Sequence, residues 1–421
     1  MSTAATCHSP TFRGSDDVTE VKPEDQGGVT DAILTAIAER APMEIVGSAT
    51  MRTIGRPLAT PVKLDLSGLA GLNFYEPEEL VLSAKAGTRR SAIDELLRGR
   101  RQAFAFEPPD LARLLGSNQG GTLGGMIAAN LSGPRRIRSG ALRDHILGFS
   151  AVSGRGEAFK CGGRVMKNVT GYDLPKLMAG SWGTLCALTE VTMKVMPAPE
   201  TTATLLLFGF NDEDAGAAMR DAMRSPLDIA GAAHLPVDVA RASALADIAN
   251  AGTSVTLLRL EGFGESVAFR LAELQARFTA ERSVLDPQRS ETAWSEIRDV
   301  HMLAAPRERI VWRVSLPPSD GPRAMNHIRT AAPAAIGYYD WAGGLLWVSV
   351  PLSEHGSAQV VRGAIPPATG HATLIRGPES LRASVFVFEP LPDPLAKLTQ
   401  RVKQAFDPSG VLNPGRMYHF A

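Results

Sequence analysis

Two glycine-rich loops hold the residues best suited to chemistry in this chain of 421 residues. Residues 120–144 read GGTLGGMIAANLSGPRRIRSGALRD, with five glycines in the first 14 positions and an arginine cluster behind them. Glycine at this density marks backbone that turns tightly or approaches a ligand closely, since it carries no Cβ. The basic residues that follow point to an anionic ligand, and the whole stretch to a large phosphate-bearing cofactor. Residues 47–55, GSATMRTIG, form a second glycine-bounded loop after a strand-like MEIVG. N–H groups freed by tight turns make anion-binding nests, and a helix N-terminus adds its positive dipole end. Two such loops can hold the two ends of a dinucleotide pyrophosphate. Purely structural turns are the alternative, since glycine is common in turns. Two further runs belong with them: GSWGTL at 180–185, which offers small residues before a β-run, and the polar KNVTGYDL at 167–174.

Other chemistries find little support. No G-x-G-x-x-G opens a helix directly after a strand with an acid about 20 residues on, and no Walker A motif occurs. The three cysteines, Cys7, Cys161 and Cys186, form no C-x-x-C pair, which argues against a disulfide framework or an iron–sulfur cluster. Cys161 and Cys186 read as small packing residues. His234, His301, His327, His355 and His371 are scattered without metal-ligand spacing, so no metal site is expected. Lys+Arg and Asp+Glu balance at 44 each, which disfavours a general nucleic-acid or membrane-surface binder. Apolar runs fall far short of the roughly 18 residues that span a bilayer. The N-terminus lacks the basic and apolar regions of a secretory signal.

The elements around the loops follow from periodicity and punctuation. Residues 1–26 read as a disordered tail, with order beginning near Gly27. Asp31 is expected to cap a helix running through Arg40. Strands are expected at 43–47, 64–69, 79–87, 145–152 and 187–197, with a helix over 91–99 and a hairpin through GRGEAFKCGG. After Pro199, strands at 201–209, 254–262 and 309–317 alternate with helices at 211–224 and 265–278. A hairpin at 335–350 turns at Gly343-Gly344. This alternation predicts an α+β domain of β-α-β units. A last helix, LAKLTQRVKQAF, leads into the rigid DPSGVLNPGR at 407–416. No internal repeat is visible.

The four runs, in this order, resemble the FAD-binding domain of the vanillyl-alcohol oxidase and p-cresol methylhydroxylase (PCMH) superfamily. EPPD, LSGPRRIRSGALRDHILG and GGRVMKNVTGYDLPKLMAGSWGTL are similar, more narrowly, to the E-type FAD-binding subunits of bacterial glycolate oxidases. The resemblance implies an α+β protein. A two-subdomain PCMH-type FAD-binding domain spans 27–198, a ferredoxin-like α+β cap spans 199–392, and residues 393–421 return to the FAD. It implies FAD contacts from Gly47, Ser48, Ala49, Thr50 and Gly55. Gly120, Gly121, Thr122, Gly124, Gly125, Asn130, Gly133, Arg135, Gly140, Arg143 and Asp144 follow in the second run. Gly180, Ser181, Gly183, Thr184 and Asn413 complete the set. Two departures stand out: Trp182 and Cys186 replace the Glu and Gly of the usual GSEGTLG. No histidine lies between Ser48 and Ile54, so the FAD is expected to be non-covalent.

By the same resemblance, the partners are a sister FAD-linked subunit and an iron–sulfur subunit. The substrate is a small 2-hydroxy acid, glycolate, oxidised to glyoxylate, and the setting is cytoplasmic, reaching the membrane's inner face through partners. Flavin oxidation of such an acid needs a base for the hydroxyl proton and a cation for the carboxylate. Arg135, Arg136, Arg138, Arg143 and Lys167 are cations near the loops, suited to phosphate, solvent or substrate. Tyr172, Asp173 and His145 are polar groups nearby, and none stands out as a catalytic base. Trp294, Trp312, Trp341, Trp347, Tyr338 and Tyr339 form either a packed core or a partner interface. A self-contained FAD-linked dehydrogenase of another hydroxy acid such as D-lactate, and a structural subunit with a vestigial flavin site, remain as alternatives.

Overall fold

The computed structural model describes residues 18–164 and 171–420. Residues 1–17 of the expected tail, and 165–170 with Lys167, lie outside the described residues. Order begins before Gly27. Thr19–Val21 pairs in parallel with Val62–Asp65, which pairs in parallel with Met43–Val46. The first helix runs Gln26–Glu39, not from Asp31, because Asp25 is its N-cap and accepts the Gly28 N–H at 2.8 Å. Gly27 and Gly28 fall in the first turn, where N–H groups have no intrahelical acceptor and glycine's poor propensity is least damaging. Val29, Ala32, Ile33 and Ala36 turn inward onto Val62 and Leu64.

A five-stranded antiparallel sheet follows, in the order Leu72–Glu76, Val81–Lys85, Cys186–Lys194, Ile146–Ser153, Ala158–Gly162. The second glycine run lies in the excursion between Val81–Lys85 and Ile146–Ser153. Helices Arg90–Arg98 and Leu123–Ala129 cover this sheet, packing Ile93, Leu97, Leu123 and Ile127 onto Leu82, Ala84 and Val191. The helix carrying the glycines is therefore fixed to a rigid support on one side.

The chain then builds an eight-stranded antiparallel sheet from two β-α-β-β-α-β units. The first has strands Thr201–Phe208, Gly231–Leu235, Val255–Gly262 and Arg282–Leu285, with helices Asp212–Arg224 and Gly264–Ala276. The second has strands Ile310–Ser315, Ile336–Asp340, Leu345–Val350 and His371–Arg376, with helices Gly321–Ala331 and Ala358–Gly363. Within each unit the spatial order is fourth, first, third, second, and the two second strands meet at His234 opposite Tyr339. The structure thus contains a repeat that the sequence does not show. Pairing these two edges removes two open strand edges at once. Arg282–Leu285 and His371–Arg376 were not anticipated, nor were Gly231–Leu235 and the helices Pro287–Arg298 and Gly321–Ala331.

One face of this sheet meets the first part of the chain. Leu257, Val311, Tyr338 and Trp347 share an apolar cluster with Ile54, Leu111 and Leu131. The aromatic residues are core: Trp294, Trp312, Trp341, Trp347, Tyr338 and Tyr339 are each at most 4% exposed. Their polar ends are largely used inside the protein, with Trp341 Nε1 donating to Gly133 O across the seam at 3.0 Å.

Candidate functional site

A cleft enclosing about 1260 Å³, including space open at its mouth, lies in the first part of the chain. Eleven expected residues line it: Gly47, Ser48, Ala49, Thr50, Gly121, Thr122, Gly124, Gly125, Ser181, Gly183 and Asn413. Three segments far apart in sequence converge there: one leaves a strand, one opens helix Leu123–Ala129 and one enters a strand. The first loop follows Met43–Val46, and residues 181–183 precede Cys186–Lys194.

Close approach explains two of the glycines. A Cβ on Gly47 would stand against the Thr122 side chain, and one on Gly124 would lie 2.9 Å from Ala86 Cβ. The loops are thereby pressed together and onto the sheet. Their donors are unequally used. Leu123 N donates to Thr88 O at 2.9 Å, Gly124 N to Ala86 O at 2.7 Å, and Gly125 N to Thr122 Oγ1 at 3.3 Å. In contrast, the N–H groups of Ser48, Ala49, Thr50, Gly120, Gly121 and Thr122 reach no acceptor among the described residues. The free donors therefore precede the helix rather than belonging to it. A Cβ at Gly120 would meet nothing within 4 Å, so the ground before these amides is open.

The C-terminal segment closes the floor. Asn413, in the left-handed region at φ 42°, accepts the Ile45 N–H on Oδ1 and donates from Nδ2 to Trp182 O, both at 2.7 Å. Buried Lys403 donates to Thr184 O at 2.7 Å, Leu412 O at 2.8 Å and Asp407 Oδ2 at 2.7 Å. Glu44, 4% exposed, lines the cleft beside the first loop. It accepts Arg52 Nε at 2.9 Å and faces Arg416 Nη1 at 3.8 Å. Arg416 also donates to Arg52 O at 2.9 Å, and burial pushes its guanidinium down only to about 10. The cleft floor is thus charge-compensated and does not repel an anion.

The other ten expected residues lie off the cleft lining. Gly55 packs under Arg416, where a Cβ would meet Nε at 2.8 Å. Gly120 adjoins the lining, while Gly180 abuts Asn130, whose buried Oδ1 has no partner. Gly133 binds the Trp341 indole. Arg135 is committed to Glu261, Nη2 to Oε1 at 2.7 Å, and its backbone N–H to Glu107 at 2.9 Å. Asp144 accepts the Ala141 N–H beside Gly140, Arg143 is exposed, and Thr184 Oγ1 donates to Ser181 O at 2.7 Å. Among the polar neighbours, His145 Nε2 lies 2.8 Å from Ser139 O, Tyr172 is 86% exposed, and Asp173 caps a short helix through Lys176 N.

Sequence reasoning missed the groups that join the two parts. Glu107 of the EPPD run accepts Arg259 Nη1 and Nη2 at 2.9 and 2.7 Å, and Asp110 N donates to Asp299 Oδ1 at 2.7 Å. Arg90 holds the same turn through the carbonyls of Pro108 and Pro109, both at 3.0 Å. Burial pushes the Glu107 carboxyl up, but Arg259 and Arg135 outweigh it and bring it down to about 2. Nothing in the sequence pairs Glu107 with an arginine 152 positions away.

Known proteins resemble this chain. A family model described as an FAD binding domain matches residues 19–162. The glycolate oxidase subunit GlcE of Escherichia coli (strain K12) is 33% identical over 384 residues, covering 91% of this chain and 94% of that one. The chain belongs to the GlcE family. The glycolate oxidase subunit GlcD of Bacillus subtilis (strain 168) is 36% identical over 127 residues, 30% of this chain and 26% of its own. Among solved structures, p-cresol methylhydroxylase superposes with a TM-score of 0.69 at 13% identity, over 94% of this chain and 88% of that one. That likeness concerns the fold, which is the PCMH-type FAD-binding fold.

Membership of the GlcE family makes this an FAD-linked oxidoreductase chain whose cofactor is FAD. The cleft fits that group: it offers six backbone donors without acceptors among the described residues, glycines where a side chain would fill the space, and lining carboxylates, Glu44 and Asp110, that face arginines. Trp182, where the usual motif has Glu, takes φ 52° and packs its ring 5.4 Å from Phe388. Cys186 is buried beside Met178 with its thiol pushed up to about 12 by burial, a packing residue as expected. No helix among the described residues is long and apolar enough to cross a membrane.

Proposed function

We propose that this chain is the FAD-binding subunit of a complex that oxidises glycolate to glyoxylate and passes the electrons to an iron–sulfur partner. The observation that carries the reading is near full-length similarity to GlcE combined with a cleft whose free amides suit a pyrophosphate. Ser48, Ala49 and Thr50 on one side, and Gly120, Gly121 and Thr122 on the other, hold the phosphates through backbone N–H groups. Gly47, Gly124 and Gly125 permit the approach, and Ser181, Gly183 and Asn413 form the wall that continues the site. Gly55 and Thr184 support it through Arg416 and Lys403. The first loop has no histidine, so the cofactor is held without a covalent bond. FAD, when bound, supplies the acceptor for the hydride leaving the substrate's C2.

The chain's own contribution is binding, orientation and exclusion of water. The Arg416–Glu44–Arg52 floor fixes the first loop from below. The Glu107–Arg259 and Arg135–Glu261 pairs hold the eight-stranded sheet against the cofactor side. The sister FAD-linked subunit and the iron–sulfur subunit complete the route for single electrons, and they tether the assembly to the inner face of the membrane. The test is co-expression with the neighbouring subunits and an assay with glycolate. Purified chain should carry FAD, and complex lacking this chain should lose glycolate-dependent dye reduction. A colourless chain that fails to take up added FAD refutes the reading. Full activity without this chain refutes it as well.

A further inference from the structure

Two guanidinium groups at the seam between the parts make no ion pair within 4.0 Å among the described residues. Arg136, on the short helix Arg136–Ser139, lies 4.3 Å from the centre of the Trp341 ring, and Arg313 lies 5.0 Å from the same ring. Neither guanidinium makes an ion pair or donates a hydrogen bond among the described residues. Their neighbours behave differently: Arg135 is paired with Glu261, Arg138 with Asp228, and Arg259 with Glu107.

The register shows what surrounds Arg313. It lies on the same face of Ile310–Ser315 as Val311, which packs toward the cofactor-bearing part. It stands opposite Trp347 on one side and Thr373 on the other, and His371 stands opposite Ser315 on that same face. Burial and the two arginines push His371 down to about 4, so it is neutral near pH 7. Burial, with Arg136 nearby, pushes Arg313 down to about 10, still cationic at neutral pH. Asp144 lies near Arg136 beyond ion-pair distance, and the carboxyl near Arg313 is Asp340. It is spent on the Trp341 N–H at 2.7 Å, and burial pushes it up to about 7. Next to Trp341 a cleft is lined by Ile137, Pro318, Ala342, Arg220 and Arg224, and Arg136 and Arg313 stand outside its lining.

We propose that Arg136 and Arg313 form a carboxylate-binding subsite at this seam, with Trp341 as its aromatic wall and His371 as a neutral donor at its edge. Unpaired guanidinium is costly where it is partly desolvated, and its planar fork matches a carboxylate in two parallel hydrogen bonds. The ligand class, a small 2-hydroxy or 2-oxo acid, rests on the proposed function; the presence of a carboxylate site does not. The indole fixes both cations by cation–π attraction and leaves their outer N–H edges free.

Calorimetric titration of the purified full chain with oxalate, glycolate and inorganic phosphate tests this, with Arg313→Gln and Arg136→Gln alongside. Saturable binding of oxalate and glycolate is expected, at least tenfold weaker in each variant, with FAD content and melting temperature unchanged. Arg136 is exposed, so its variant remains readable should Arg313→Gln fold poorly. Equal affinity in both variants, or no carboxylate binding by the wild-type chain, overturns the proposal. Tighter binding of phosphate than of oxalate overturns the carboxylate assignment. Absence of FAD from the wild-type chain would sink the proposed function alone, because the carboxylate titration can still be read on flavin-free protein.

Discussion

Gly47→Ala tests the packing of the two glycine loops with a magnitude that follows from geometry. The new Cβ would collide with Thr122 Oγ1 and lie 3.2 Å from its Cγ2, and Thr122 is only 2% exposed, so it has little room to move. Overpacking of this kind costs about 1–3 kcal/mol. Displacing the Thr122 hydroxyl also removes the N-cap of Leu123–Ala129, worth about 1 kcal/mol. The single variant should therefore lose about 2–4 kcal/mol in urea unfolding at unchanged m-value. Its FAD affinity should fall at least tenfold, because both sets of free amides shift. Thr122→Ala alone should lose about 1 kcal/mol, the value of the cap. The double variant Gly47→Ala/Thr122→Ala removes the collision and loses the cap only once, so it should be more stable than the sum of singles by about 2–4 kcal/mol. Thr122→Ser keeps Oγ1 in place and should give no rescue. Additive losses in the double variant, or Gly47→Ala within about 0.5 kcal/mol of wild type, would refute the reasoning.

Glu107→Gln leaves Arg259 and Arg135 under-compensated and should cost about 3–5 kcal/mol at neutral pH by chemical denaturation. Because the folded carboxyl is held at about 2, below its ordinary 4.5, its stabilisation is complete above about pH 4.5. That stabilisation is lost as the pH falls toward 2, so the variant's stability should vary less with pH across this window than the wild type's. Asn413→Ala strands the Ile45 N–H and the Trp182 carbonyl, at about 1–3 kcal/mol for each buried group. Its melting temperature and FAD titration should both fall. Cys186, with its thiol pushed up to about 12, should resist iodoacetamide in the native protein at pH 8 and react only after unfolding, as read by mass spectrometry.

The legible parts of this molecule were those governed by local rules. Strands Ile146–Ser153 and Val255–Gly262, and helix Asp212–Arg224 with its acidic first turn, follow directly from periodicity and punctuation. The first helix was misplaced at its start because two glycines disguised a first turn that Asp25 caps. Helix Pro287–Arg298 carries a local signal in its sequence, an aspartate N-cap followed by proline. The pairing of the two β-α-β-β-α-β units was illegible, since it repeats backbone topology without repeating residues. At the site, the first two glycine loops named eight of the residues that line the cleft. The arginines behind the second loop did not: Arg135 is bound to Glu261, and the partner lies 126 positions away. Charge alone says that an arginine needs an anion; only the fold says whether the protein already supplies it.

Hydrogen–deuterium exchange of the flavin-free chain with and without added FAD is the most direct test that the cofactor sits in this cleft. The amides of Ser48, Ala49, Thr50, Gly120, Gly121 and Thr122 have no acceptor among the described residues and should exchange fast in the flavin-free chain. FAD should slow peptides covering 47–52, 120–122 and 181–183 together. Saturating FAD that leaves these peptides unchanged, or protects a different surface, would contradict the assignment.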